Sequence, residues 1–181
     1  MNQTGESPDT LAERGKRAYQ KGDLIAAIDA FTAAEMGYRG QEALVKAAEM
    51  ANNLSVVLLQ ADRPQDALAA ARETPQAFEE AQDLERCGMA WGNLGAALEA
   101  CKDYDAAAEA YQKAIDIFRS RNLEDNLLQT AQALSRLRMQ QGRVPEALTA
   151  MQGGLQDPKK LSWRHRVLRK ILDIPSRLMG H

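Results

Sequence analysis

The chain has 181 residues, 23 Lys/Arg against 25 Asp/Glu, a formal net charge of −2 and only 5% aromatic residues. That length fits one ordinary domain or a short repeat array, and the charge excludes bulk nucleic-acid binding through a strongly basic surface. Alanine supplies about a sixth of the chain, which suits closely packed helices and not a sheet sandwich; no apolar run approaches the ~18 residues of a spanning helix.

In chain order, residues 1–7 read as a flexible N-terminus without the basic-then-apolar pattern of an export signal. Residues 8–40 form a first helix hairpin around the turn KGDLIAA, with Gly22 ending one helix and Asp23 capping the next. Gly37 and Gly40 break the chain before a second unit, 41–74, whose turn is ADRPQDA. Pro64 there occupies the first turn of a helix, where a missing N–H costs little. Thr74-Pro75 reads as a further start signal, opening one long helix through Cys101. The third unit, 75–120, turns at CKDYDAA with Asp103 as cap. The segment from Ser120 to Asp125 separates it from a fourth, 124–155, which turns at QGRVPEA with Gly142 and Pro145. Residues 159–174 place Leu161, Ile171 and Leu172 on one stripe and Arg164, Arg166, Arg169 and Lys170 mostly opposite. That is a basic amphipathic helix suited to cap the array, and residues 175–181 read as a frayed tail behind Pro175.

The units repeat every 40 residues. Ala27, Ala67, Ala107 and Ala147 share one column; Gly15, Ser55, Gly95 and Ser135 share a second; Phe31, Ala71, Tyr111 and Met151 share a third. Small residues are needed where two helices cross closely, and glycine inside a helix costs about 0.5–1 kcal/mol relative to alanine. Gly15 and Gly95 are therefore expected to face Ala27 and Ala107 across their hairpins.

Charge is uneven along the chain. Residues 1–158 hold 16 Lys/Arg against 24 Asp/Glu, and residues 159–181 hold seven Lys/Arg against one Asp. Cys87 and Cys101 lie 14 residues apart in what reads as one helix, about 20 Å at 1.5 Å per residue, too far to pair. Two free thiols without an export signal point to a reducing, cytoplasmic compartment. His165 and His181 have no ligand-like spacing, so no metal site or cofactor is expected. No nucleophile elbow, phosphate loop or zinc-protease motif occurs, and the chain reads as non-enzymatic.

The stretch WGNLGAALEACKDYDAAAEAYQKAIDIF resembles a tetratricopeptide repeat through Trp91, Leu94, Gly95, Leu98, Ala107, Tyr111 and Ala114. The first unit resembles it through Gly15, Ala27, Phe31 and Ala34, and the 40-residue period is similar to that of the long-helix subclass. The resemblance implies an all-α, right-handed solenoid of about four hairpins, residues 8–155, plus the C-terminal capping helix. It implies a non-catalytic adaptor or scaffold that holds a peptide or partner helix in a concave groove lined by the first helix of each unit. Asparagines just before the Leu-Gly pair bind peptide backbone in such relatives, and Asn53 and Asn93 match that position. Helical spacing puts Lys16, Asn52, Val56 and Met89 on the same face, followed by Ala96, Gln132 and Arg136. The alternative is a self-associating module or homo-oligomer, or a scaffold brought to an anionic membrane surface by residues 159–181. An RNA-reading repeat is disfavoured by the acidic body, and no nucleic-acid partner is expected.

Overall fold

Turns recur every 20 residues, twice as often as the sequence columns. Gly22, Glu42, Asp62, Gln82, Lys102, Asn122 and Gly142 all have φ between +56° and +77°. At each, the backbone closes the preceding helix in the same way. The N–H of the left-handed residue bonds three residues back, and the next N–H bonds five back, as in Gln82 N to Glu79 O (2.9 Å) and Asp83 N to Phe78 O (2.9 Å). This is the Schellman closure, which satisfies carbonyls that a helix end would otherwise orphan. Glycine announces it in the sequence only at Gly22 and Gly142.

The computed structural model describes residues 5–154, and within them the chain is helix and tight turn. In order these are α1 (Pro8–Gln20), α2 (Leu24–Gly40), α3 (Leu44–Gln60), α4 (Pro64–Ala71), α5 (Thr74–Glu80), α6 (Leu84–Ala100), α7 (Tyr104–Ser120), α8 (Glu124–Gln140) and α9 (Val144–Gly154). Asp23, Asp83 and Asp103 cap α2, α6 and α7, each accepting from the N–H three residues on. Pro8 and Pro64 sit in the first turns of α1 and α4. None of these helices is long and apolar enough to cross a membrane. The segments 159–174 and 175–181, expected as a capping helix and a tail, lie outside the described residues, as do residues 1–4 and 155–158.

The expected single helix from Thr74 to Cys101 is instead two helices, α5 and α6, separated by the turn at Gln82. Pro75 acts by interrupting the helix that starts at Pro64. Its ring has no N–H for the carbonyl four residues back and crowds that carbonyl, which belongs to Ala71. The Thr74 hydroxyl donates to the Ala71 carbonyl instead, at 2.9 Å. The resulting α5 packs on α3 and α6 and buries Phe78 to 1% exposure beside Ala48, Cys87 and Ala90. Burying such a ring is worth about 1.5–3 kcal/mol.

The helices form two layers. α1, α3, α6 and α8 lie on one side, while α2, α4–α5, α7 and α9 lie on the other, and each hairpin crosses between them. Ala27, Ala67, Ala107 and Ala147 are at most 1% exposed, as their shared column implies. The glycines, however, face the aromatic column and not the alanines. A Cβ on Gly15 would lie 2.7 Å from the Phe31 ring, and one on Gly95 would lie 2.7 Å from the Tyr111 ring. A flat ring lying over bare backbone needs more clearance than an alanine methyl, which is why the glycine pairs with the larger partner.

Candidate interaction groove

The residues expected to line a groove lie on the α1–α3–α6–α8 layer. On α6, Met89, Gly92, Asn93 and Ala96 share one face by helical spacing; on α8, Asn126, Gln129, Ala133 and Arg136 do the same. The two faces enclose a cleft of about 510 Å³, closed at its base by Tyr111 and Phe118. Five expected site residues meet there: Met89, Asn93, Ala96, Gln132 and Arg136. Asn52 joins them from α3, because the Asn93 side-chain amide donates to Asn52 Oδ1 at 3.0 Å.

The remaining three stand apart. Lys16 lines a separate depression of about 210 Å³ between α1 and α3, where it pairs with Glu13 at 3.1 Å. Asn53 and Val56 are half-buried on α3 and line neither depression. Asn126, Gly92 and Ala133 were not expected in the cleft. The spacing 126, 129, 133, 136 is a helical stripe visible in the sequence, but the chain break assigned up to Asp125 hides its first member.

Among the cleft-lining residues, Arg136 alone carries a charge. It is exposed and makes no ion pair among the described residues. At the base, the Tyr111 hydroxyl donates to Glu99 Oε2 at 2.8 Å. Burial, then that bond to a carboxylate, pushes the Tyr111 phenol far up, so it stays a neutral donor at any physiological pH. Between α1 and α3 the Tyr38 hydroxyl donates to Asp9 at 2.6 Å, and burial followed by that bond raises the phenol to about 12. The Asp9 carboxyl, held by the Tyr38 hydroxyl and then by Lys46, sits below the usual carboxylate range.

A larger depression, about 730 Å³, lies on the other layer between α7 and α9, and its rim runs to Gln152 and Gly153 at the end of the described chain. Its charges are mixed: Glu109 and Glu146 with Arg119 and Arg138. Cys87 is buried, its thiol donating weakly to the Pro75 carbonyl at 3.5 Å, and burial raises its pKa. Such a thiol is a poor nucleophile. Among the described residues, no group of three or more His, Cys, Asp or Glu is placed to hold a metal ion.

Residues 86–155 match the tetratricopeptide repeat family model. Over those residues the chain is similar to tetratricopeptide repeats. The match covers α6 to α9, where Trp91, Gly95 and Tyr111 keep the family pattern. Over the whole array the fold resembles solved helical-repeat structures. The apo form of RapI aligns at 17% identity and TM-score 0.77, covering 92% of this chain and 47% of that one. BtubC (BKLC) from P. vanneervenii aligns at 18% and 0.72, covering 86% and 66%. Aspartyl phosphate phosphatase F from Bacillus subtilis aligns at 15% and 0.73, covering 91% and 44%. The chain thus spans about half the length of the Rap-type structures, and at these identities the likeness concerns the fold. No curated protein sequence matches the chain.

Proposed function

We propose that the protein is a non-catalytic interaction scaffold that receives a peptide or partner helix in the groove of its α1–α3–α6–α8 layer. The observation that carries this reading is the cleft between α6 and α8, which gathers Met89, Asn93, Ala96, Gln132 and Arg136 on one wet, mostly uncharged surface. Side-chain amides both donate and accept, so such a surface can satisfy an exposed peptide backbone irrespective of its sequence. A Rap protein of the same fold, at 16% identity, is crystallised with a competence and sporulation factor. Catalysis is no part of the proposal, since the cleft holds no nucleophile set against a base and Cys87 is buried away from it.

The test is selection of a displayed library of random dodecapeptides on the full chain, followed by affinity measurement on the recovered peptides. Asn93→Ala combined with Gln132→Ala is expected to weaken binding at least fivefold, with helicity unchanged and the melting temperature lowered only slightly by loss of the Asn93–Asn52 bond. Affinity unaltered in that variant, or a selection that recovers nothing, overturns the groove reading.

A further inference from the structure

Neighbouring helices of the groove layer meet at three joints, and two are closed by the chain's own polar pairs. Between α1 and α3, Lys46 reaches Asp9 at 3.0 Å and the Gln60 amide donates to the Tyr19 hydroxyl at 2.6 Å. Between α3 and α6, Arg86 reaches Glu49 at 3.1 Å and Asn93 donates to Asn52 at 3.0 Å. The ion pairs are the same pair repeated, since Glu49 follows Asp9 by 40 residues and Arg86 follows Lys46 by 40.

One repeat further on, both devices are missing. The acid and base positions become Met89 and Asn126, and the two amide positions become Gly92 and Ala133. No ion pair can form between the first two, and the second two leave space where side chains met before. All four line the 510 Å³ cleft. The cleft is therefore the array's unclosed joint, with Arg136 as its single lining charge and amides around it. Glu99, which could otherwise compete for a cation here, accepts the Tyr111 hydroxyl at the base of the cleft.

We infer that the α6–α8 joint binds a short extended peptide segment bearing a carboxylate, which meets Arg136, beside a small aliphatic side chain, which meets Met89 and Ala96. This rests on the groove reading above and narrows it. The footprint is one joint and not the length of the array, and the occupant is acidic. Guanidinium and carboxylate form the charge-assisted, often bidentate bonds that give such recognition its direction.

The experiment uses the full chain and the displayed random dodecapeptides. Recovered sequences are expected to share an Asp, a Glu or a required free C-terminus, and amidating or neutralising that group should weaken binding at least tenfold at 0.15 M salt. Arg136→Glu should do the same. Two closures of the joint should each abolish binding while the melting temperature holds or rises. One is Met89→Glu with Asn126→Arg, copying Glu49–Arg86; the other, uncharged, is Gly92→Asn with Ala133→Asn, copying Asn52–Asn93. Peptides without an acidic group, or binding that survives Arg136→Glu and both closures, overturn the inference. If that surviving binding is lost in Lys16→Ala with Val56→Lys, the groove reading stands and only the joint assignment falls. Recovery of no peptide at all overturns both.

Discussion

At the scale of single residues, the tightest constraint is the aromatic ring over bare backbone. Gly95 has no room for a side chain beneath Tyr111, so Gly95→Leu should destabilise the protein by about 1–3 kcal/mol or more through overpacking. Chemical denaturation checks this, and Tyr111→Ala in the same chain should recover part of the loss. Where the glycine column holds Ser55 and Ser135, the aromatic column holds Ala71 and Met151, so the summed volume at the crossing is kept in check across units. The Asp83 carboxyl is lowered by the Arg86 backbone N–H and then by the Arg86 guanidinium. A lowered folded pKa means stability present above the unfolded value of about 3.9 and lost as pH falls through the folded one. Asp83→Ala should cost about 1 kcal/mol at neutral pH, and thermal melts should show that difference shrinking below about pH 4. The two thiols should also separate. Native labelling with a thiol reagent should modify the half-exposed Cys101 first, and Cys87 only on unfolding.

At the scale of elements, five of the seven turns place a side chain where glycine is conformationally favoured: Glu42, Asp62, Gln82, Lys102 and Asn122. The left-handed conformation costs roughly 1–2 kcal/mol for a residue with a Cβ. Lys102→Gly, at an exposed turn, should therefore stabilise the fold by about 0.5–1 kcal/mol after the added freedom of the unfolded chain is counted. A lower melting temperature for that variant would mean the lysine side chain contributes more than its backbone costs. The same turns divide the single helix expected between Thr74 and Cys101. Gln82 has no composition signal for a turn, whereas Thr74-Pro75 has a strong one. Both are breaks, but only the tertiary fold shows that Pro75 kinks an existing helix while Gln82 ends it.

At the scale of the whole molecule, the array is joined by contacts between repeats, and the polar ones are modest. Arg86 and Glu49 are both more than a third exposed, so Glu49→Gln should cost under about 1 kcal/mol and less still at high salt. Most of the cohesion between units comes from buried apolar side chains such as Phe78, Phe118 and Leu137. The polar pairs decide instead which joints are shut, and the α6–α8 joint lacks them.

The 40-residue period, the helical class, the buried alanine column and several caps were legible in the sequence by itself. They depend on local spacing, since residues at a fixed period in helices of equal length come to equivalent places in each unit. Helical phase likewise put Met89, Asn93, Ala96, Gln132 and Arg136 on one side of α6 and α8, where they line the cleft, but it did not separate them from Lys16, Asn53 and Val56, which lie elsewhere. Three things depended on the tertiary structure. The partners of Gly15 and Gly95 are Phe31 and Tyr111, because the crossing point of two helices is set by their tilt and not by column membership. Asn93 pairs with Asn52 and not with Asn53, because equivalent positions on two stacked helices point the same way and not at each other. The cleft exists because pairs that recur at one joint are absent at the next, and a contact between residues 37 or 41 apart has no meaning until the helices are laid side by side.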